Sequence, residues 1–218
     1  MAPQLIDAIK AREKDRALEL LAADSGVAEE RDENGVSALM LTRYYGLDDE
    51  VVTAVRSARD DLDVFEAATL GDLERLRELL DADPSLATAR SSDEGTALHF
   101  AAFFGQLEAA RLLIDRGADV HAVASTFGNV TPLHSAAAAP SREIVRMLLD
   151  AGADANARQG GGFTALQAAA QNGDPEMARD LLDHGADPSA ATDDGRTALS
   201  IAEEQGHEEV AALLRAGE

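Results

Sequence analysis

Apolar positions along this chain fall in short paired blocks separated by glycines, and the pairing repeats. In one pair, Leu98, Ala101 and Ala102 precede Gly105, while Leu107, Ala110 and Ile114 precede Gly117. Steps of three and four residues lay an apolar stripe along one face of a helix, so each pair predicts two helices with one buried face apiece. A tetrad opens each pair: Thr96-Ala97-Leu98-His99, Thr131-Pro132-Leu133-His134, Thr164-Ala165-Leu166-Gln167 and Thr197-Ala198-Leu199-Ser200, with leucines 35, 33 and 33 residues apart. A Thr hydroxyl at an N-cap accepts a backbone N–H, and Pro132 at the first helical position gives up only a donor that lacks a partner anyway. The first helix therefore starts at the Thr. Small pairs follow at Ala101-Ala102, Ala136-Ala137 and Ala169-Ala170, then a break at Gly105, Pro140, Gly173 or Gly206. The second helix carries Leu112-Leu113-Ile114, Met147-Leu148-Leu149, Leu181-Leu182 or Leu213-Leu214 and ends before Gly117, Gly152, Gly185 or Gly217. Neither helix can bury its stripe alone, so successive units must stack.

These residues resemble the ankyrin repeat family. The resemblance rests on the tetrad, the Ala pair, the Leu-rich second helix and the Gly117-Ala118-Asp119, Gly152-Ala153-Asp154 and Gly185-Ala186-Asp187 triplets, at a period of about 33 residues. It is strongest from 95 to 218 and can be followed upstream through Ala67-Ala68 with Gly71 and through Ser37-Ala38-Leu39-Met40 with Gly46. It implies a single all-α domain, an ankyrin-repeat solenoid of about seven helix-turn-helix units joined by hairpin fingers. The expected units are a degenerate N-terminal cap at 1–34, a shortened repeat at 35–63, repeats at 64–94, 95–127, 128–161 and 162–194, and a C-terminal cap at 195–218. Gly46 and Gly71 are only 25 residues apart, so the finger there should be missing or cut to a turn near Asp60-Asp61. Glu203, Glu204, Glu208 and Glu209 suit a terminal unit with one solvated face.

Composition narrows the functional classes. Against 19 Lys and Arg stand 41 Asp and Glu, a net charge of −22, which excludes sequence-independent attraction to nucleic acid or an anionic membrane. The absence of Cys excludes disulfides, thiolate nucleophiles and Cys-ligated metals. Aromatic residues make up 4%, so Ala, Leu, Val and Ile must build the core. The start of the chain lacks a basic stretch followed by an apolar one, and apolar runs stay short. A soluble cytoplasmic protein is expected. Two Lys among the basic residues, with abundant Ala, suggest a G+C-rich bacterial genome.

Candidate chemistry is sparse. The five histidines (His99, His121, His134, His184 and His207) occupy positions that the repeat explains. Acidic clusters at Glu29-Glu30-Arg31-Asp32-Glu33, Asp48-Asp49-Glu50 and Asp60-Asp61-Leu62-Asp63 lack calcium-loop spacing and read as a solvated face. Gly160-Gly161-Gly162 lacks the Lys of a phosphate loop and reads as a flexible hairpin tip. No nucleophile-His-acid arrangement is evident, so no catalytic, cofactor-binding or metal residues are assigned and no enzyme is expected.

The aromatics point elsewhere. In the family, the two residues between the Ala pair and the next Gly face the concave groove; here these are Tyr44-Tyr45, Thr69-Leu70, Phe103-Phe104, Ala138-Ala139, Gln171-Asn172 and Glu204-Gln205. Half of the eight aromatic residues lie in that stripe. Phe163 and Arg196 each precede a tetrad Thr, where the family's fingers present side chains. The candidate partner-binding residues are therefore Tyr44, Tyr45, Leu70, Phe103, Phe104, Phe163 and Arg196, of types that anchor interfaces. Net charge is −1 over 101–150 but −9 over 151–218. The resemblance and this stripe imply a non-catalytic scaffold that binds another protein, one with a basic rim, through the groove and finger tips; it is expected to be monomeric alone, with no nucleic-acid or membrane partner. The alternative is an acidic inhibitor or immunity-type protein that binds a basic nuclease or DNA-binding protein by charge mimicry.

Overall fold

The structure, a computed structural model, describes residues 4–59, 61–139 and 141–216. The break expected at Pro140, the turn residue Asp60 and the terminal Gly217 lie outside the described residues. Seven helix pairs follow one another: α1 (Gln4–Lys10) and α2 (Lys14–Ala23), α3 (Ala38–Tyr44) and α4 (Asp49–Ser57), α5 (Val64–Leu70) and α6 (Leu73–Ala82), α7 (Ala97–Phe103) and α8 (Leu107–Asp115), α9 (Pro132–Ala138) and α10 (Arg142–Asp150), α11 (Ala165–Asn172) and α12 (Pro175–Asp183), α13 (Ala198–Gln205) and α14 (Glu208–Ala216). Odd-numbered helices pack on one another in one row; in a second, α2 packs on α4, and α6, α8, α10, α12 and α14 pack in succession; each pair also closes on itself. No strand occurs among the described residues; isolated bridges Arg31–Ser37, Arg90–Thr96, Ala124–Val130 and Ala191–Thr197 close the fingers.

Helices of seven to ten residues are too short to persist alone in water, so packing must hold them. Ala67-Ala68, Ala101-Ala102, Ala136-Ala137 and Ala169-Ala170 are fully buried and let the inner row approach closely, while Leu76, Leu80, Leu113, Ile144 and Leu148 fill the space behind them. Gly71 and Gly173 end α5 and α11 in the left-handed conformation, each at φ +69°.

The tetrads do more than start helices. The Thr96 N–H donates to His99 Nδ1 at 3.1 Å, and His99 Nε2 lies 3.1 Å from the Val130 carbonyl in the next finger. Thr131 and His134 repeat this with the Ala157 carbonyl, and Gln167 does the same job in amide form, accepting from Thr164 N–H and donating to the carbonyls of Ala190 and Arg196. Because Nδ1 accepts, Nε2 carries the ring proton. A second set of stitches runs backward: Gln106 Nε2 donates to the Thr69 carbonyl and Asn172 Nδ2 to that of Ala137, while His207 Nε2 meets that of Gln171.

The unit from α3 to α4 closes differently. No bridge closes a finger between Ala58 and Asp63 among the described residues. Glu66, 0% exposed, stands where the next three units have His or Gln; it accepts from the Asp63 N–H at 3.0 Å and from Arg59 Nη1 at 2.5 Å, and Arg59, 8% exposed, also reaches Glu29. Gly160–Gly162 is not the free tip expected. Gly160 N–H donates to the Gly128 carbonyl and Asp193 N–H to the Gly161 carbonyl, tying the turn to the fingers on both sides.

Candidate functional site

Three of the predicted groove residues meet in one cluster. Tyr44 ends α3, Phe103 ends α7, and Phe104 follows it. The Tyr44 ring lies 6.2 Å from Phe103 and 5.4 Å from Phe104, and the two phenylalanines stand edge to face at 5.0 Å. Rings at such distances and tilts attract through their quadrupoles. The Arg43 guanidinium sits 5.7 Å from the Phe104 centroid, a cation–π contact that the sequence did not suggest. These contacts join α3 to α7 across α5. Tyr44 and Phe104 are half-buried, whereas Phe103 is 41% exposed. Tyr44 therefore holds the stack together as well as lining the pocket beside it. Burial, with the Asp93 charge nearby, holds its hydroxyl well above the usual tyrosine range.

Beside the cluster lies a pocket of about 300 Å³, lined by Tyr44, His99, Phe100, Phe103, Val130 and Ala138 among others. Its two histidines are buried, and burial keeps both neutral: His99 is pushed down to about 4, and His134 also below its ordinary value. The wall is thus uncharged at neutral pH. On the other side of Tyr44, a recess of about 480 Å³ is lined by Tyr45, Val36, Leu41 and Asp93. Phe100 was not singled out from sequence because it follows the tetrad at a buried, core-type position; Val130 precedes a tetrad Thr as Phe163 and Arg196 do, and was passed over.

The other predicted residues lie apart from this cluster or beside it. Tyr45 and Leu70 are half-buried and pack against the core, as does Phe163. Phe163 and Arg196 share a separate dent of about 260 Å³ at the last two finger tips, with Arg196 Nε 2.9 Å from Asp194.

The acidic clusters have structural work. Glu30 accepts from the N–H groups of Leu5 and Ile6, Asp48 caps α4 and pairs with Lys14, Asp63 caps α5, and Asp61 pairs with Arg75. Among the described residues, no group of three or more His, Asp or Glu is placed to hold a metal ion, and no helix is long and apolar enough to cross a membrane.

A family model described as "Ankyrin repeats (3 copies)" matches residues 64–159 and again 155–218. Curated relatives include a probable E3 ubiquitin-protein ligase, XBOS31, of Oryza sativa subsp. japonica, 47% identical over 30% of this chain and 15% of its own length. Ankyrin repeat and SAM domain-containing protein 6 of Danio rerio is 36% identical over 32% of this chain and 10% of its own length. The DNA-binding protein RFXANK of Homo sapiens is 33% identical over 34% of this chain and 28% of its own length. The match therefore spans less than a third of each of these relatives.

Proposed function

Since the chain belongs to the ankyrin repeat family, whose fold generally serves protein–protein interaction without catalysis, we propose that it is a scaffold that grips a partner protein through its concave groove. The observation that carries this reading is Phe103: a phenyl ring left 41% exposed beside an apolar pocket is only partly used by its contacts in the free chain and becomes an anchor once covered. Tyr44 and Phe104 touch it, Tyr45 and Leu70 extend the same stripe, and Phe163 with Arg196 gives a second contact at the finger tips. The partner carries basic groups, and the free scaffold is a cytoplasmic monomer. The named activities of the relatives differ while the shared stretch is repeat, so none is carried over.

The test is capture from the source organism's lysate with wild-type and Phe103→Ala bait side by side. The partner kept by the wild type should be lost by the variant at equal helicity. Charge mimicry predicts the opposite: retention by Phe103→Ala and a collapse of binding between about 50 and 200 mM salt.

A further inference from the structure

The geometry points to a partner segment that carries one bulky apolar side chain and, close beside it, an arginine or lysine: the apolar group fills the pocket at Phe103 and the cation pairs with Asp93. This rests on the groove reading above and names the chemistry of its occupant. A space of about 300 Å³ suits a single ring or branched aliphatic group.

Two fingers of the molecule share a carboxylate but differ in the cation beside it. Bridges Arg90–Thr96 and Ala191–Thr197 set the fingers in register, so that Asp93 corresponds to Asp194 and Gly95 to Arg196. In the later finger, Asp194 accepts the Thr192 hydroxyl with one oxygen and Arg196 Nε with the other. In the earlier finger, Asp93 accepts the Ser91 hydroxyl in the same way, but the arginine's place is held by glycine.

No Arg or Lys pairs with Asp93 among the described residues. Arg31 is bound to the Gly35 carbonyl and Asp63, and Arg90 to the carbonyls of Glu94 and Val123. Asp93 is nevertheless only 7% exposed. Arg31 and Arg90 line a recess with Asp93, but their guanidiniums are committed to those other oxygens, so the carboxylate keeps an oxygen for a cation that arrives from outside.

Glycine at 95 also joins the two halves of the site. A Cβ there would stand 2.8 Å from the Phe100 ring and 3.5 Å from Asp93 Oδ1, so the backbone passes bare between pocket wall and carboxylate. Gly95 lines the pocket and Asp93 the neighbouring recess, with Tyr44 forming a wall of both. Neighbouring residues of one extended segment span that interval.

A displayed random 12-residue peptide library panned on the full chain tests this. Peptides should be enriched in an aromatic or branched aliphatic residue with Arg or Lys within three positions. Their affinity should fall at least tenfold on Phe103→Ala, on Asp93→Asn, and on changing the peptide's basic residue to Gln, while Glu203→Gln, far along the stack, leaves it unchanged. Asp93→Asn keeps the Ser91 bond, so the free chain should melt no lower than wild type; the peptide substitution provides the same reading without altering the protein. Apolar peptides that need Phe103 but ignore Asp93, or that fall equally on Glu203→Gln, would overturn the cation assignment and leave the groove standing. Peptides indifferent to Phe103 would remove the groove itself.

Discussion

Replacing His99 by Gln should flatten the chain's stability against mild acid while leaving its neutral stability nearly unchanged. The substitution copies a solution already present in the molecule, since Gln167 makes the corresponding bonds to the tetrad Thr N–H and to the next finger's carbonyl. The unfolded chain protonates His99 near 6.5, whereas burial in the fold holds it neutral down to about 4. A group depressed in this way stabilises the fold fully above 6.5, and that contribution drains as pH falls toward 4, because only the unfolded chain takes up the proton. Linkage between those two values puts the loss at about 2 kcal/mol between pH 7 and pH 5. His134 is shifted in the same direction by the same cause, so His99→Gln/His134→Gln should flatten the profile further. His184 is raised by the Asp180 carbonyl and Asp150 and acts in the opposite sense, but it lies at the surface, where solvent screens it. Urea unfolding followed by helical circular dichroism at pH 7, 6 and 5 measures the slope. An unchanged slope in the double variant would show that burial does not hold these histidines neutral.

Other substitutions probe other contacts. Arg59→Ala strands the buried Glu66 carboxylate and should cost about 3 to 5 kcal/mol in urea unfolding; a loss under about 1 kcal/mol would mean that Glu66 finds water instead. Gly71→Ala and Gly105→Ala both force a side chain onto positive φ, but only the first meets a neighbour, the Gln106 side chain that bonds the Thr69 carbonyl. Gly71→Ala should therefore be the worse by about 1 kcal/mol in thermal melts, and equal losses would dismiss that stitch. Phe103→Ala should weaken the partner by about 2 to 4 kcal/mol in titration calorimetry while costing the free chain only the ring contacts to Tyr44 and Phe104, about 1 kcal/mol; a stability loss as large as the binding loss would make Phe103 a core residue.

The helix pairs and their tetrads were legible because caps, glycines and apolar stripes are local signals that repeat. The gap in the fingers before α5 was legible as missing residues. What closes it was not: the Arg59–Glu66 pair looks like any acidic–basic stretch until the fold removes water from it. The purpose of His99 was hidden for a related reason, since its acceptor, Val130, lies 31 residues away. Family position marked Tyr44, Phe103 and Phe104 as one stripe, but that these rings touch across α5 is a contact between residues about 60 apart in the chain, which no local signal carries. Asp93 gave no signal at all, because an unpaired carboxylate is recognised only when its counterpart in another finger is paired.

Arrays whose layers touch only their immediate neighbours can gain or lose a layer almost anywhere during descent. The rings that connect α3 with α7 remove that freedom locally. Excising the layer of α5 and α6 would drive Tyr44 into Phe103 and Phe104, and duplicating it would pull them apart. The interval between α3 and α7 is thereby held to a single layer by its own side chains.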